Sequence, residues 1–293
     1  MRSACIDIGS NTTRLLVAER HDGGLREVLV RRMFVPLLPD ADGRIATETI
    51  GVLAAVVAAH AATARECDAE RVHVVATAAI RAAANRDALC AAVALEAGMA
   101  VRVLDGAEEA RLAFAGATRT LHDPPSGMVG VVDVGGGSCE LVTGSVAGGA
   151  DWFVSVPVGS GVLTDGHVLG DPPSPAEVQA LRDRAAASFA SLGAPRPAIA
   201  YAVGGSATSL RMLCGDELSA ETLDRALALL CRWPVRDAAQ RLSLARERVR
   251  LLPAGLVLLG AAAGAFGGVA LQVARGGLRE GVVLEDLAGR RAR

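Results

Sequence analysis

The chain has 293 residues, is 51% hydrophobic and 21% charged, and carries a formal net charge of −2. Such a composition excludes disorder and collagen-like repeats and leaves room for two hydrophobic cores. A near-neutral balance and only 3% aromatic residues exclude a general nucleic-acid or membrane-surface binder, which needs a basic excess and, for single strands, stacking side chains.

All 30 basic residues are arginine, so a Walker A phosphate loop and Schiff-base chemistry on a lysine are both excluded. The cysteines Cys5, Cys67, Cys90, Cys139, Cys214 and Cys231 form no CxxC pair and have no histidine at ligand spacing. That is the pattern of a reduced, cytoplasmic protein, neither a disulfide framework nor a zinc site. The chain enters a strand-like run almost at once, with no signal-peptide pattern before it.

In chain order, residues 4–8, 13–19 and 25–35 read as three consecutive strands, with Asp22-Gly23-Gly24 as a hairpin signal. An alanine-rich helix over 47–66, a β-branched strand over 72–76, a helix over 79–96, a strand over 101–104 and a helix over 107–118 follow. This alternation predicts an α/β domain over 1–120. The loop His122-Asp123-Pro124-Pro125-Ser126-Gly127 marks a boundary, after which a second domain over 121–293 begins with strands at 129–134, 140–143 and 152–156. Helices, a strand at 199–203, further helices and a strand from Val269 complete it. The apolar stretch 251–274 is as long as a membrane span, but Gly264-Ala265-Phe266-Gly267-Gly268 interrupts it, so it reads as a buried helix, a turn and a strand.

The second half also repeats the first residue by residue. Cys5-Ile6-Asp7-Ile8-Gly9-Ser10-Asn11-Thr12-Thr13-Arg14-Leu15 aligns without gaps on Val131-Val132-Asp133-Val134-Gly135-Gly136-Gly137-Ser138-Cys139-Glu140-Leu141, at a constant offset of 126 positions. A repeat this long indicates two duplicated domains facing each other across a cleft. Each copy is a strand ending in aspartate, a turn of small residues, and a second strand. Such turns converge backbone N–H groups into a nest for phosphate oxygens. The aspartates Asp7 and Asp133 repel phosphate, so their sensible task is to hold a divalent cation that neutralises it. An ordinary glycine hairpin explains one such copy; retention of aspartate in both favours the binding role.

A third glycine element, Gly204-Gly205-Ser206-Ala207-Thr208, follows the strand at 199–203 and leads into a helix from Ser209, placing amide donors and a helix dipole toward an anion. Ser206 could equally serve as a helix cap. Carboxylates able to deprotonate water are Glu108 and Glu109, on the last helix of the first domain, and Glu140 after the second loop. A solvated helix face is the bland alternative for the first two. Arg81 is a candidate for bidentate phosphate binding.

With these residues assembled, the chain resembles the exopolyphosphatase and guanosine-pentaphosphate phosphohydrolase (Ppx/GppA) family of the actin-like superfamily. The segments that carry the resemblance are CIDIGSNTTRLLVAE, VVATAAIRAAANR, DGAEEARLAFAGA, VVDVGGGSCELVTG, VPVGSGVLTD, AVGGSATSL, LLPAGLVLL and GGLREGV. The resemblance implies two actin-like (ribonuclease H-like) α/β domains with an interdomain cleft, and Mg²⁺-dependent hydrolysis of a terminal phosphoanhydride of polyphosphate or guanosine pentaphosphate. It implies Glu109 as catalytic base, Glu140 as a second catalytic carboxylate, and Asp7 and Asp133 as metal-linked aspartates. It implies phosphate binding by Ser10, Asn11, Thr12, Arg81, Gly135, Gly136, Gly137, Ser138, Gly204, Gly205 and Ser206, and it suggests a homodimer. Three departures stand out: Phe34-Val35-Pro36-Leu37-Leu38 replaces an Arg-Leu-Gly-x-Gly stretch, Val162 replaces an arginine, and Arg250 replaces an acidic residue. The chain also ends soon after GGLREGV, without the C-terminal helical domains of longer members, which favours short-chain substrates.

Two other readings compete. One is a non-catalytic sensor binding polyphosphate or the guanosine nucleotide, favoured by the altered 34–38 segment. The other is a sugar kinase of the same superfamily, disfavoured because EEARL stands where such kinases carry an aspartate base.

Overall fold

The computed structural model describes residues 1–21 and 24–289; the hairpin signal at Asp22 and Gly23 lies outside the described residues. The chain divides into two units, one formed by Met1–Thr120 with the terminal segment from Leu278, the other by Leu121–Gly277.

The first unit opens with β1 (Arg2–Ile8), β2 (Thr12–His21) and β3 (Gly24–Phe34), an antiparallel meander. Then come α1 (Thr47–Glu66), β4 (Ala69–Ala76), α2 (Ala78–Ala82), α3 (Arg86–Ala97), β5 (Val101–Val103) and α4 (Gly106–Arg119). β4 joins β1 in parallel and β5 joins β4 in parallel, giving the order β3-β2-β1-β4-β5. Alternate residues of a strand point to opposite faces. Ile6, Ile8, Leu15 and Val17 therefore pack with Leu53 and Val57 of α1 and Leu89 and Val93 of α3. Cys5, Leu16 and Val75 pack on the other face with Leu112 of α4.

The helix expected over 79–96 is broken into α2 and α3. Asn85 explains the break: its side chain accepts the Ile45 N–H at 2.9 Å and donates to the Ile45 carbonyl at 2.8 Å, while Ala84 N–H reaches the Gly43 carbonyl. The intervening residues are held by a distant loop instead of by helical bonds.

The second unit repeats this plan with β6 (Val129–Val134), β7 (Cys139–Ser145) and β8 (Gly149–Val156), followed by α5 (Ser160–His167), α6 (Pro175–Phe189) and β9 (Ile199–Val203). α7 (Gly204–Cys214), β10 (Glu217–Leu218), α8 (Ala220–Leu230), α9 (Val235–Leu242), α10 (Arg246–Ala265) and β11 (Leu271–Val273) complete it. The order β10-β11-β9-β6-β7-β8 contains the five-strand pattern of the first unit, with β9 and β11 in the places of β4 and β5. α1 and α10 are each long and apolar enough to cross a membrane, yet both supply residues to the cores of their own units, α10 through Leu252, Leu256 and Leu259.

The last helix, α11 (Leu278–Gly289), belongs to the first unit, whereas the sequence reading assigns all of 121–293 to the second domain. Val282, Val283 and Leu287 fill the core beside Cys5, Leu16 and Leu112, so the chain returns to pack on the same sheet face as α4. No local pattern announces that return, because the partners lie more than 150 positions upstream.

Candidate active site

The turn between β1 and β2 and the turn between β6 and β7 close in the same way. Gly9 N–H donates to the Thr12 carbonyl at 3.0 Å, and Gly135 N–H donates to the Ser138 carbonyl at 3.0 Å. The repeat seen in sequence therefore extends to the hydrogen bond. Behind each turn, a separate segment holds the carbonyls. Leu37 N–H reaches the Ser10 carbonyl and Val35 N–H the Asn11 carbonyl; in the second unit Ser160 N–H reaches Gly135, and Gly161 and Val162 N–H both reach Gly136. Among the described residues, the N–H groups of Ser10, Asn11, Gly136 and Gly137 find no protein acceptor. Each turn thus presents adjacent donors of the kind that bind phosphate oxygens.

The strands deliver an aspartate to the head of each turn. Asp7 faces Arg14 across β1 and β2, and Asp133 faces Glu140 across β6 and β7. Cross-strand partners share a face, so the duplicated position carries a cation in one unit and an anion in the other. Burial pushes the Asp7 carboxyl upward, opposed by the charges of Arg14 and Arg279, and its Oδ1 is enclosed without a hydrogen-bond partner. Glu140 is 2% exposed and accepts a 2.8 Å hydrogen bond from the Ser155 hydroxyl.

Two of the expected residues meet directly. Glu109, 7% exposed in the first turn of α4, accepts a 3.0 Å hydrogen bond from Arg81 Nη1, which also donates to the Leu104 carbonyl at 2.6 Å. Its neighbour Glu108 instead pairs with Arg102 on the surface, and the Asp105 side chain caps the helix by accepting Glu108 N–H at 2.8 Å. The adjacent glutamates are separated by helix geometry alone: one faces the core, the other solvent.

The third glycine element differs from its expected form. α7 begins at Gly204, so Gly204 to Ser206 form its first turn instead of a loop preceding a helix from Ser209. Ser206 is no cap; it lies inside the helix, buried against Gly255 of α10, and its hydroxyl faces the core. Gly204 has φ of +87°, and a Cβ there would lie 2.4 Å from Asp133 Oδ1. The element therefore seats the Asp133 carboxylate, with Gly204 as the only residue type that fits both demands. Thr12, also buried, accepts from Arg14 Nε at 3.2 Å, so its hydroxyl serves the cation.

Sequence reasoning missed the segments behind the turns. Val35 and Leu37 are buried in the core of the first unit, and their N–H groups support the first turn, while Pro36 between them has no N–H to place. The altered 34–38 segment is therefore a backbone support. Arg250 has found a partner in Asp165, at 2.7 Å, one turn along α5 from Val162. The offset of the repeat is a signal for the Asp7–Arg14 and Asp133–Glu140 pairs; nothing local signals that Arg81 and Glu109, each a candidate by itself, meet.

Comparison with known proteins agrees with this architecture. Residues 17–289 match the Ppx/GppA phosphatase family. Exopolyphosphatase 1 of Mycobacterium leprae is 30% identical over 98% of this chain and 90% of its own length. The crystal structure of the Aquifex aeolicus member of the Ppx/GppA family superposes with a TM-score of 0.82 at 28% identity, covering 99% of this chain and 98% of that one. A Cytophaga hutchinsonii exopolyphosphatase structure superposes with a TM-score of 0.83 at 21% identity over 99% of this chain and 98% of that one, which supports the fold. Two duplicated actin-like units, each with an aspartate-headed turn, and a match over nearly the whole chain lead to one assignment: the chain belongs to the Ppx/GppA phosphatase family.

Proposed function

We propose that the protein is an exopolyphosphatase-type hydrolase, removing the terminal phosphate of inorganic polyphosphate, with short chains and guanosine pentaphosphate as the substrates to test first. The observation that carries this reading is the pair of turns closed by the same 3.0 Å bond, each headed by an aspartate and each with N–H donors left for an anion. Phosphoryl transfer asks mainly for positioning and charge stabilisation, which backbone amides and guanidinium groups supply.

In this reading Glu109 orients the attacking water and accepts its proton. Arg81 holds the Glu109 carboxylate in place and adds positive charge beside the phosphoryl oxygens. The Ser10–Asn11 amides of the first unit and the Gly136–Gly137 amides of the second are the phosphate-binding donors of this reading, and Glu140, fixed by Ser155, is its second carboxylate. Asp7 and Asp133 are the residues that would hold Mg²⁺, a hard cation suited to carboxylate oxygen; the enclosed Asp7 Oδ1 without a hydrogen bond fits that use. Mg²⁺, when bound, supplies neutralisation of the phosphate charge. Six free cysteines fit a cytoplasmic setting.

The alternative, a non-catalytic sensor, draws on the altered 34–38 segment; the buried Val35 and Leu37, whose N–H groups support the first turn, favour the hydrolase reading. Phosphate release from tripolyphosphate, long-chain polyphosphate and guanosine pentaphosphate, each with and without Mg²⁺, tests the proposal. Release from at least one, dependent on Mg²⁺, is expected; tight binding of all three without release would sink it.

A further inference from the structure

The N-terminus of α5 has spent its own donors. The first three amides of an α-helix have no intrahelical partner, and here those of Ser160, Gly161 and Val162 all go to the carbonyls of Gly135 and Gly136, at 2.9, 2.9 and 3.1 Å. Ser160 adds a side-chain bond from Oγ to the Gly135 carbonyl at 3.1 Å. In a trans peptide the C=O and the following N–H point in opposite directions. Fixing the Gly135 and Gly136 carbonyls on α5 therefore aims the Gly136 and Gly137 N–H groups away from it. The helix dipole also polarises these peptide groups, which strengthens the outward donors.

Contact this close needs a residue without a side chain at the point of approach. Gly159, the residue before α5, has ordinary extended dihedrals, so its backbone does not require glycine. A Cβ there would lie 2.4 Å from the Gly136 carbonyl carbon and 2.5 Å from Gly137 N, both backbone atoms that cannot swing aside. We propose that Gly159 and Ser160 are positioning residues for phosphate binding: they seat the Gly136–Gly137 peptide on the first turn of α5 and so set the direction of its phosphate-facing N–H groups. This rests on the reading of 135–138 as a phosphate loop.

The test compares Gly159→Ala, Ser160→Ala and a control, Gly166→Ala, which lies in the same helix where a Cβ meets nothing within 4 Å. With tripolyphosphate as substrate, KM is expected to rise about tenfold or more in Gly159→Ala, on the scale of losing an aligned amide donor. Gly166→Ala keeps the wild-type KM. Amide NMR resonances of Gly136 and Gly137 are expected to shift on adding inorganic phosphate to wild type and to stay unmoved in Gly159→Ala. If that variant does not fold, Ser160→Ala, which removes one bond and no backbone contact, is expected to raise KM about threefold. Unchanged KM in a folded Gly159→Ala, or in Ser160→Ala as its substitute, overturns the inference while wild type still releases phosphate. Wild type without phosphate release overturns the functional reading, and this inference with it.

Discussion

Arg81 Nη1 lies 3.0 Å from Glu109 Oε2, and the same nitrogen bonds the Leu104 carbonyl, so the guanidinium ties the start of α4 to α2 through a nearly buried carboxylate. The two residues come from segments 28 positions apart and meet because β4 and β5 lie side by side in the sheet. A carboxylate held this way is fixed in orientation, which is what the proposed role of Glu109 as base requires.

Glu109→Gln should lower phosphate release by about two to four decades while leaving polyphosphate binding near its wild-type strength. Arg81→Ala should slow turnover as well. Because the two act as one unit, the double variant should be little worse than the slower single one. Single-turnover phosphate release and equilibrium binding check this, and full additivity would mean the pair is not a functional unit.

Gly204→Ala places a methyl group 2.4 Å from Asp133 Oδ1 at a φ of +87°. The carboxylate must move, so the expected result is a raised Mg²⁺ requirement and a loss of about 1–3 kcal/mol of stability from the strained backbone. A Mg²⁺ titration of activity together with chemical denaturation separates these effects. An unchanged Mg²⁺ midpoint would contradict the role assigned to Asp133.

Asp7 should cost stability at neutral pH. Burial raises its carboxyl above the usual value of 3.8, so the folded state favours the protonated form. That preference stabilises the fold fully below the unfolded value and is lost as pH rises through the folded one. Asp7→Asn is therefore expected to raise the thermal midpoint at pH 7, to leave it unaltered near pH 3, and to abolish stabilisation by added Mg²⁺. Calorimetry at the two pH values, with and without the metal, tests the sign directly.

Leu287→Ala on α11 should destabilise the first unit by about 2–4 kcal/mol, since this side chain packs with Cys5, Leu16 and Leu112. Both tryptophans, Trp152 and Trp233, lie in the second unit. Far-ultraviolet dichroism should therefore show an early transition that tryptophan fluorescence does not follow. A shift of the fluorescence transition alone would place α11 in the wrong unit.

Glu177 gathers the N–H groups of Ser174, Leu169 and Gly170, and these bonds, that of Ser174 foremost, pull its carboxyl down to about 2. Its contribution is present above the usual carboxylate value and disappears as pH falls through about 2. Glu177→Gln is expected to loosen the 168–174 segment already at neutral pH, which amide hydrogen exchange at Leu169 and Gly170 would report.

The amino-acid sequence alone determined the duplication, because an ungapped alignment of aspartate, small residues and β-branched neighbours reports one local structure used twice. β6, β9 and α1 were legible to the residue, since their apolar periods and flanking turns are local signals. It also determined the chemistry available: carboxylates, arginines and glycine-rich backbone, with no lysine. Only the tertiary structure decided how these parts are held. It put Glu109 inward and Glu108 outward, brought Arg81 to Glu109, turned Ser206 into the core, and seated the two aspartate-headed turns on Val35, Leu37 and the first turn of α5. It also returned α11 to the first unit. Each of these depends on backbone groups or side chains far apart in the chain, whose pairing is set by sheet order and burial and leaves no mark in the spacing of neighbouring residues.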